Sequence, residues 1–248
     1  LDVRVPTGNE NEELEELAVA FNNMTLALKN SETIRNEFVA NISHELKTPM
    51  TTIAGYLDGM LDGTIPPEKY RYYMELVSTE ARRLSRLVRS MLDISRLRDQ
   101  GIPADQKTNF DICEAAGQAL LCFEQRINQK KLNVEIDMPD EGLTIHAAQD
   151  SVTQVLYNLI DNAVKFVNEG GTLSVRIRRN GNSAMISVGN TGKTIPPEEL
   201  PLVFDRFHKI DKSRSNDRDG WGLGLYIVKT IVLAHGEDVY VTSQDGKT

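Results

Sequence analysis

The sequence predicts an α+β chain in which a long helical hairpin precedes a mixed α/β region. Three observations carry that expectation. From residue 12 to residue 98, apolar side chains recur at steps of three and four, broken once by Asp62-Gly63-Thr64-Ile65-Pro66-Pro67, which is helical spacing with one stop-and-turn signal. Beyond Gly101 the texture changes, and strand-length runs alternate with helix-length ones. The composition, 40% hydrophobic and 26% charged over 248 residues, fits one large or two ordinary globular domains.

Residues 1–11 contain Pro6, Gly8, Asn9 and Asn11 and read as a connector. Residues 12–29 place Leu14, Leu17, Ala18, Phe21, Met24, Thr25 and Leu28 in a near-heptad seam behind an acidic start, Glu12-Glu13 and Glu15-Glu16, which suits the positive end of a helix. A second helix, residues 31–61, carries Phe38, Ile42, Leu46, Pro49, Ile53, Leu57 and Met60 on one face. After the turn, residues 68–98 resume with Tyr70, Met74, Val77, Ala81, Leu84, Val88 and Met91. Two helices of roughly 30 residues span ~45 Å at ~1.5 Å per residue. One such hairpin cannot cover both of its apolar stripes, so a homodimeric four-helix bundle is expected.

Residues 101–108 read as a linker. In the remainder, residues 111–129 are expected to be helical, 132–138 and 142–146 to be strands, and 149–168 to be a strong helix. Residues 172–179 and 184–189 form a hairpin about Asn180-Gly181-Asn182, residues 222–235 a helix and 238–243 a strand.

Net charge is −8 with a pI near 5.1, which argues against a nucleic-acid surface. A polyanion would need a local site of backbone donors or a metal. Cys113 and Cys122 lack metal-type spacing and are expected to be reduced. No signal peptide and no apolar run of membrane length is present, so no membrane contact is expected within this fragment, and any anchor would lie outside it.

His44 lies about 200° around the helix from both Ile42 and Leu46 and should face solvent, with Glu45 beside it and Thr48 one turn on. Pro49 removes a donor and disfavours the Glu45 carbonyl, so a bend is expected near the histidine. A carboxylate that accepts one imidazole N–H leaves the other nitrogen free to attack. A solvated surface histidine is the plainer alternative. On the helix of residues 149–168, Asn158, Asn162 and Lys165 share a face. That face is either simply solvated or meets a polar ligand, for which one or two amide oxygens suit Mg²⁺ on nucleotide phosphates. Two glycine-bearing stretches, residues 189–195 and 219–225, suit close approach to phosphate, although a capped loop has the same composition. The charged stretch between them, residues 208–219, reads as a lid.

The ordered set His44-Glu45-Leu46-Lys47-Thr48-Pro49, Asn158 to Phe166, Asn190 to Ile195, Phe204 to Phe207 and Gly220 to Leu225 resembles the H, N, G1, F and G2 boxes of sensor histidine kinases of two-component systems. The likeness covers essentially the whole chain. Residues 1–30 resemble the second half of a HAMP signal-relay module, residues 31–100 a dimerisation and histidine-phosphotransfer hairpin, and residues 109–248 an α/β-sandwich ATP-binding domain of the GHKL (Bergerat) type lacking its last strand.

The resemblance implies roles at particular positions. His44 would take the γ-phosphoryl group of ATP and pass it to an aspartate of a response-regulator receiver domain. Glu45 would be base or orienter, and Thr48 would position water for dephosphorylation of the partner. Asn162 would bind Mg²⁺ with support from Asn158, and Lys165 would lie near phosphate. Asn190 and Gly192 would hold adenine. Arg206, Lys209 and Lys212 are the lid-side candidates for phosphate contact, with no choice among them, and Gly220, Gly222 and Gly224 would shape the phosphate loop and lid hinge. The resemblance also implies the cytoplasmic portion of a membrane-anchored bacterial sensor. A protein that acts mainly as a phosphatase, or a non-catalytic coiled-coil relay, is the alternative. Two positions depart from the family pattern: Asn190 replaces Asp and Thr194 replaces Gly. A neutral acceptor at Asn190 predicts nucleotide affinity about tenfold lower and weaker discrimination against GTP.

Overall fold

A computed structural model describes residues 4–7, 12–210, 221–244 and 246–248, with the side chains of 98–100 excepted. The chain divides into two compact units, Leu1–Leu84 and Ser85–Thr248, and the division falls within the second long helix.

In the first unit, α1 runs unbroken from Glu12 to Leu61. The two helices expected at 12–29 and 31–61 are therefore one. Lys29-Asn30-Ser31-Glu32 holds neither Gly nor Pro, and nothing in it is strong enough to end a helix. Pro49 lies inside α1 and is buried. The tertiary setting outweighs its missing N–H, a defect that by itself costs about 3 kcal/mol. Around it, hydroxyls bond back to the preceding turn: Ser43 Oγ to Val39 O at 2.8 Å, and Thr52 Oγ1 to Thr48 O at 3.1 Å.

The hairpin turn after α1 is tied at several points. Ile65 N–H donates to Gly59 O at 2.7 Å, Asp62 Oδ1 accepts from Thr64 N–H at 2.9 Å, and Tyr70 O–H donates to Met60 O at 2.7 Å. Gly63 adopts φ +78°, a conformation that glycine takes without steric penalty. Ile65 and Met60 are buried beneath this turn, and the Tyr56 and Tyr73 rings meet at 5.0 Å. A single turn of 3₁₀ helix, Pro67–Lys69, then leads into α2, Tyr70–Gln100. At the other end of α1, Asn22 makes a reciprocal pair of 2.9 Å bonds with the backbone of Val5, which holds residues 4–7 against the helix.

The second unit is an α/β arrangement. β1 (Lys107–Asp111) pairs antiparallel with β3 (Thr144–Ala148). A separate three-stranded sheet has the order β2 (Asn133–Asp137), β4 (Thr172–Asn180), β5 (Ser183–Asn190). β2 lies parallel to β4, and β4 forms an antiparallel hairpin with β5. Alternation in β4 sends Leu173, Val175 and Ile177 into the core while Arg176 and Arg178 face out. Helices α3 (Ile112–Leu121) and α5 (Gln149–Phe166) supply Ile112, Ala116, Leu156, Ile160 and Val164 to the same core. α6 (Gly224–Ala234) packs on α5.

Three expectations change here. The helix expected over 111–129 is two helices, α3 and α4 (Glu124–Gln129), because fully buried Phe123 turns inward at the junction. Lys107 and Thr108, read as the end of a linker, begin β1, because their backbone finds β3 as a partner. Residues 238–243 alternate as a strand would, yet they carry no ladder. A strand needs a backbone partner as well as propensity, and this stretch is fixed through side chains, with Ser243 Oγ accepting from Ile195 N–H at 2.8 Å.

Asp111 organises the β1–α3 corner. Its Oδ1 accepts from Cys113 N–H at 2.8 Å and from Leu143 N–H at 3.1 Å. These backbone donors hold its carboxyl below the usual value. Its folded pKa lies below the unfolded one, so its contribution is complete above the unfolded value and is lost as pH falls through the folded value. Thermal melts across an acid series should therefore show stability falling below about pH 4. Asp111→Ala should lower the neutral-pH midpoint and flatten that acid-side fall.

Candidate functional site

In the first unit, the periodicity that sends Ile42 and Leu46 inward leaves His44 exposed, as expected. Neither ring nitrogen has a hydrogen-bond partner among the described residues. Glu45 is half-buried on the adjoining face, about 100° away around the helix, and no bond joins it to the imidazole. Thr48 is exposed, and its hydroxyl donates to His44 O at 3.3 Å. His44, Glu45 and Thr48 thus lie within about one turn of α1, with the imidazole exposed.

In the second unit, α5 positions the polar trio. Val152, Leu156, Ile160, Ala163 and Val164 are buried, so helical geometry turns Asn158, Asn162 and Lys165 to the other side, where all three are half-buried. Asn158 Nδ2 is buried without a hydrogen-bond partner. A buried orphan donor costs about 1–3 kcal/mol, which marks a place that a polar ligand would complete. A Cβ at Gly224, the first residue of α6, would stand 3.7 Å from Asn158 Oδ1. The start of α6 and the amide face of α5 are therefore neighbours. Asn162 and Asn158 carry neutral amide oxygens, a ligand type that a magnesium ion held by phosphate would accept. The Lys165 ammonium sits 5.0 Å over the exposed Phe166 ring.

The first glycine loop lies against the end of α5. A Cβ on Gly192 would come within 2.7 Å of Phe166 O and 3.2 Å of Asn190 Nδ2. Asn190 exchanges both backbone bonds with Thr248, at 2.6 and 3.0 Å. Its side chain makes only a 3.4 Å bond to Thr191 O and keeps most of its capacity. Thr194 accepts from Gly246 N–H at 2.8 Å, while Gly192 N–H donates to Gly246 O at 2.7 Å. Thr194 thus clips this loop to Gly246.

The second glycine loop closes on the Phe204–Phe207 stretch. Phe207 adopts φ +60° and its N–H donates to Gly222 O at 2.9 Å. Gly222 itself has φ +69° and lies so close that a Cβ would meet His208 O at 2.7 Å. Arg206, expected on the phosphate side, stacks 4.5 Å over the Tyr226 ring and donates to the Tyr226 hydroxyl. The sequence gives no sign of this role for Tyr226, because spacing does not show which residue of α6 meets the preceding loop. Lys209 is half-buried. Lys212 and Gly220 lie outside the described residues.

The other histidines have structural partners. His146 Nδ1 is 2.9 Å from Asn109 Oδ1. His208 Nε2 lies 2.7 Å from Glu199 Oε2, too poorly aligned for a hydrogen bond but close enough for an ion pair. Position at the end of α6 favours a cationic His235. Its Nε2 instead accepts Ala148 N–H at 3.3 Å while Nδ1 meets Ile231 O at 2.9 Å, an arrangement that needs the neutral ring.

Comparison with known proteins joins the two units to known families. Residues 34–100 match the His Kinase A (phospho-acceptor) domain, and residues 147–248 match the Histidine kinase-, DNA gyrase B-, and HSP90-like ATPase family. The chain is 36% identical over 222 residues to sensor histidine kinase WalK of Bacillus subtilis, covering 86% of this chain and 35% of that protein. It spans little more than a third of the length of the curated relatives it matches. Histidine kinase AdeS of Acinetobacter baumannii superposes with a TM-score of 0.68 at 26% identity, over 82% of this chain and 93% of that one. Histidine kinase ThkA, solved in complex with response regulator protein TrrA, shares the fold with a TM-score of 0.68 at 23% identity, over 88% of this chain and 61% of that one. Among the described residues, no helix is long and apolar enough to cross a membrane.

The two glycine environments make opposite stability predictions. Gly222→Ala combines a left-handed φ with backbone contact and should cost about 1–3 kcal/mol. Gly117 lies within α3, and a Cβ added there would meet nothing within 4 Å, so Gly117→Ala should add up to about 1 kcal/mol. Chemical denaturation of both variants beside the parent checks the pair.

Proposed function

Because the chain belongs to the sensor histidine kinases, we propose that it is a kinase core which phosphorylates His44 from Mg-ATP and passes the group to a receiver aspartate. The observation that carries this reading is the pairing of an exposed, unpartnered imidazole with a polar α5 face holding a buried orphan amide.

The unprotonated ring nitrogen of His44 attacks the γ-phosphorus. An N–P bond forms, the bond from phosphorus to the bridging oxygen breaks, and ADP leaves. Glu45 accepts the proton of the other ring nitrogen once its side chain swings toward it. Phosphoryl transfer depends chiefly on positioning and charge stabilisation. Asn190 and Gly192 seat the adenine, and Gly222 and Gly224 admit the phosphates beside the start of α6. Lys165 and Lys209 supply positive charge, with Lys212 and Gly220 assigned to the same site by the resemblance. Asn162, with Asn158 behind it, would hold Mg²⁺, which would supply positive charge at the phosphate oxygens. A carboxylate of the receiver then takes the phosphoryl group from His44, and Thr48 orients water when that product is hydrolysed.

A homodimer is supported by apolar side chains that α1 leaves exposed, among them Leu17, Met24, Met50 and Leu57. Their burial in a second copy would gain roughly 25 cal/mol per Å². A HAMP relay for residues 1–30 and a membrane anchor elsewhere in the parent protein complete the reading.

Incubation with γ-labelled ATP and Mg²⁺ should give acid-labile, alkali-stable label on the parent and none on His44→Gln or Asn162→Ala. Nucleotide binding without label would turn the assignment toward a phosphatase or a relay. In competition titrations, Asn190→Asp should bind ATP about tenfold more tightly and reject GTP more strongly than the parent. Equal ATP preference in both would remove the role given to the Asn190 amide.

A further inference from the structure

At the end of α5 the last helical bond runs from Val167 N–H to Ala163 O. The next N–H, that of Asn168, goes to Thr191 O at 3.3 Å instead. The carbonyls of Val164, Lys165 and Val167 are therefore left without helical donors, as the end of any helix requires. One side chain from outside the helix meets all three. Lys130 Nζ donates to Val164 O at 2.8 Å, to Lys165 O at 2.9 Å and to Val167 O at 3.1 Å. An ammonium has three donors, and here each has an acceptor. Its charge also lies at the negative end of the helix dipole.

Lys130 is itself held in place. It is the C-cap of α4, its carbonyl accepts from Gly170 N–H at 2.8 Å, and Lys131 follows with φ +52°. Burial and the nearby Arg126 push its pKa down, against the pull of Glu169. The three carbonyls favour the charged form and oppose that shift.

The capped segment bears directly on the pocket. Lys165 and Phe166 belong to the α5 turn that Lys130 caps. Phe166 O is the atom that stands 2.7 Å from a Gly192 Cβ position, and Val167 forms a β-bridge with Gly192. A shift of a few tenths of an ångström at this helix end would be passed to both Lys165 and the first glycine loop.

We propose that Lys130 is a positioning residue of the nucleotide pocket, acting through the last turn of α5 and the Gly192 loop. The inference rests on the nucleotide-binding reading above. Its test measures Mg-AMPPNP affinity by calorimetry, the thermal midpoint without nucleotide, and KM and kcat for ATP in autophosphorylation.

Lys130→Met keeps the stem and removes the charge-assisted bonds. Kd and KM should rise about tenfold, with kcat at saturation essentially unchanged. Lys130→Arg should recover part of the affinity. Arg126→Ala is the control: it removes the 2.6 Å ion pair from α4 to Asp161 in the middle of α5 and should leave Kd near the parent value even where its midpoint falls as far. Unchanged Kd in Lys130→Met, or an equal rise in Arg126→Ala, would overturn the proposal. Should Lys130→Met fail to fold, Lys130→Gln takes its place, and normal binding by that variant has the same force. A parent that binds no nucleotide would instead defeat the functional reading, and this inference with it.

Discussion

Everything in the second unit depends on the burial of one side of α5. Leu156, Ile160 and Val164 are fully enclosed with Leu173, Val175 and Ile177 of β4. Burying such a side chain stabilises by about 1.5–3 kcal/mol, so the three from α5 together far exceed the ~1–3 kcal/mol lost at one orphan amide. The helix consequently has no freedom to roll and relieve Asn158. Its rotation is set by the core, and the polar trio is presented as a by-product of that packing. A site supported in this way is held by the core before any ligand arrives, and the proposed phosphoryl transfer depends on such positioning.

The sequence shows the parts whose physics is local. The periodicity of α5, the Asn180-Gly181-Asn182 hairpin and the outward face of His44 all follow from spacing and turn chemistry. Where structure and expectation part, the deciding contact is distant. The Phe123 corner splits an expected helix, β3 captures Lys107 and Thr108 as strand, and residues 238–243 stay outside any ladder. His235 sits at a helix end, a position that favours a cation. The Ala148 N–H that requires its neutral form lies 87 residues away. Lys130 belongs with these: nothing in Gln129-Lys130-Lys131 distinguishes which lysine points inward.

The first unit follows a different logic. Its helix is nearly all surface, and among the described residues of α1 only Ala18, Thr25, Pro49 and Met60 are buried. Helices in proteins draw most of their stability from packing of an apolar face rather than from propensity. The exposed Leu14, Leu17, Phe21, Met24 and Leu28 follow a seam that one chain leaves uncovered. The nucleophile proposed at His44 needs access, and a helical stem needs cover. The same 3.6-residue repeat meets both demands by placing His44 away from the Ile42–Leu46 face.

The glycine loops tie these constraints to the chemistry. At Gly192 and Gly222 the structure has used the absence of a Cβ to bring backbone against backbone, Phe166 in one case and Phe207 and His208 in the other. The first loop is thus located by a neighbour that is itself anchored, Phe166 in the capped end of α5, and the second is tied to Phe207 through Gly222 O. Thr194 adds a third anchor, through Gly246. A loop of glycines alone would lose more conformational entropy on closing around a ligand than most sequences. Fastened at these points, it loses part of that freedom when the domain folds, before any nucleotide binds. The departure from glycine at position 194 is consistent with that division: side-chain bonding there replaces flexibility with a fixed approach to the pocket.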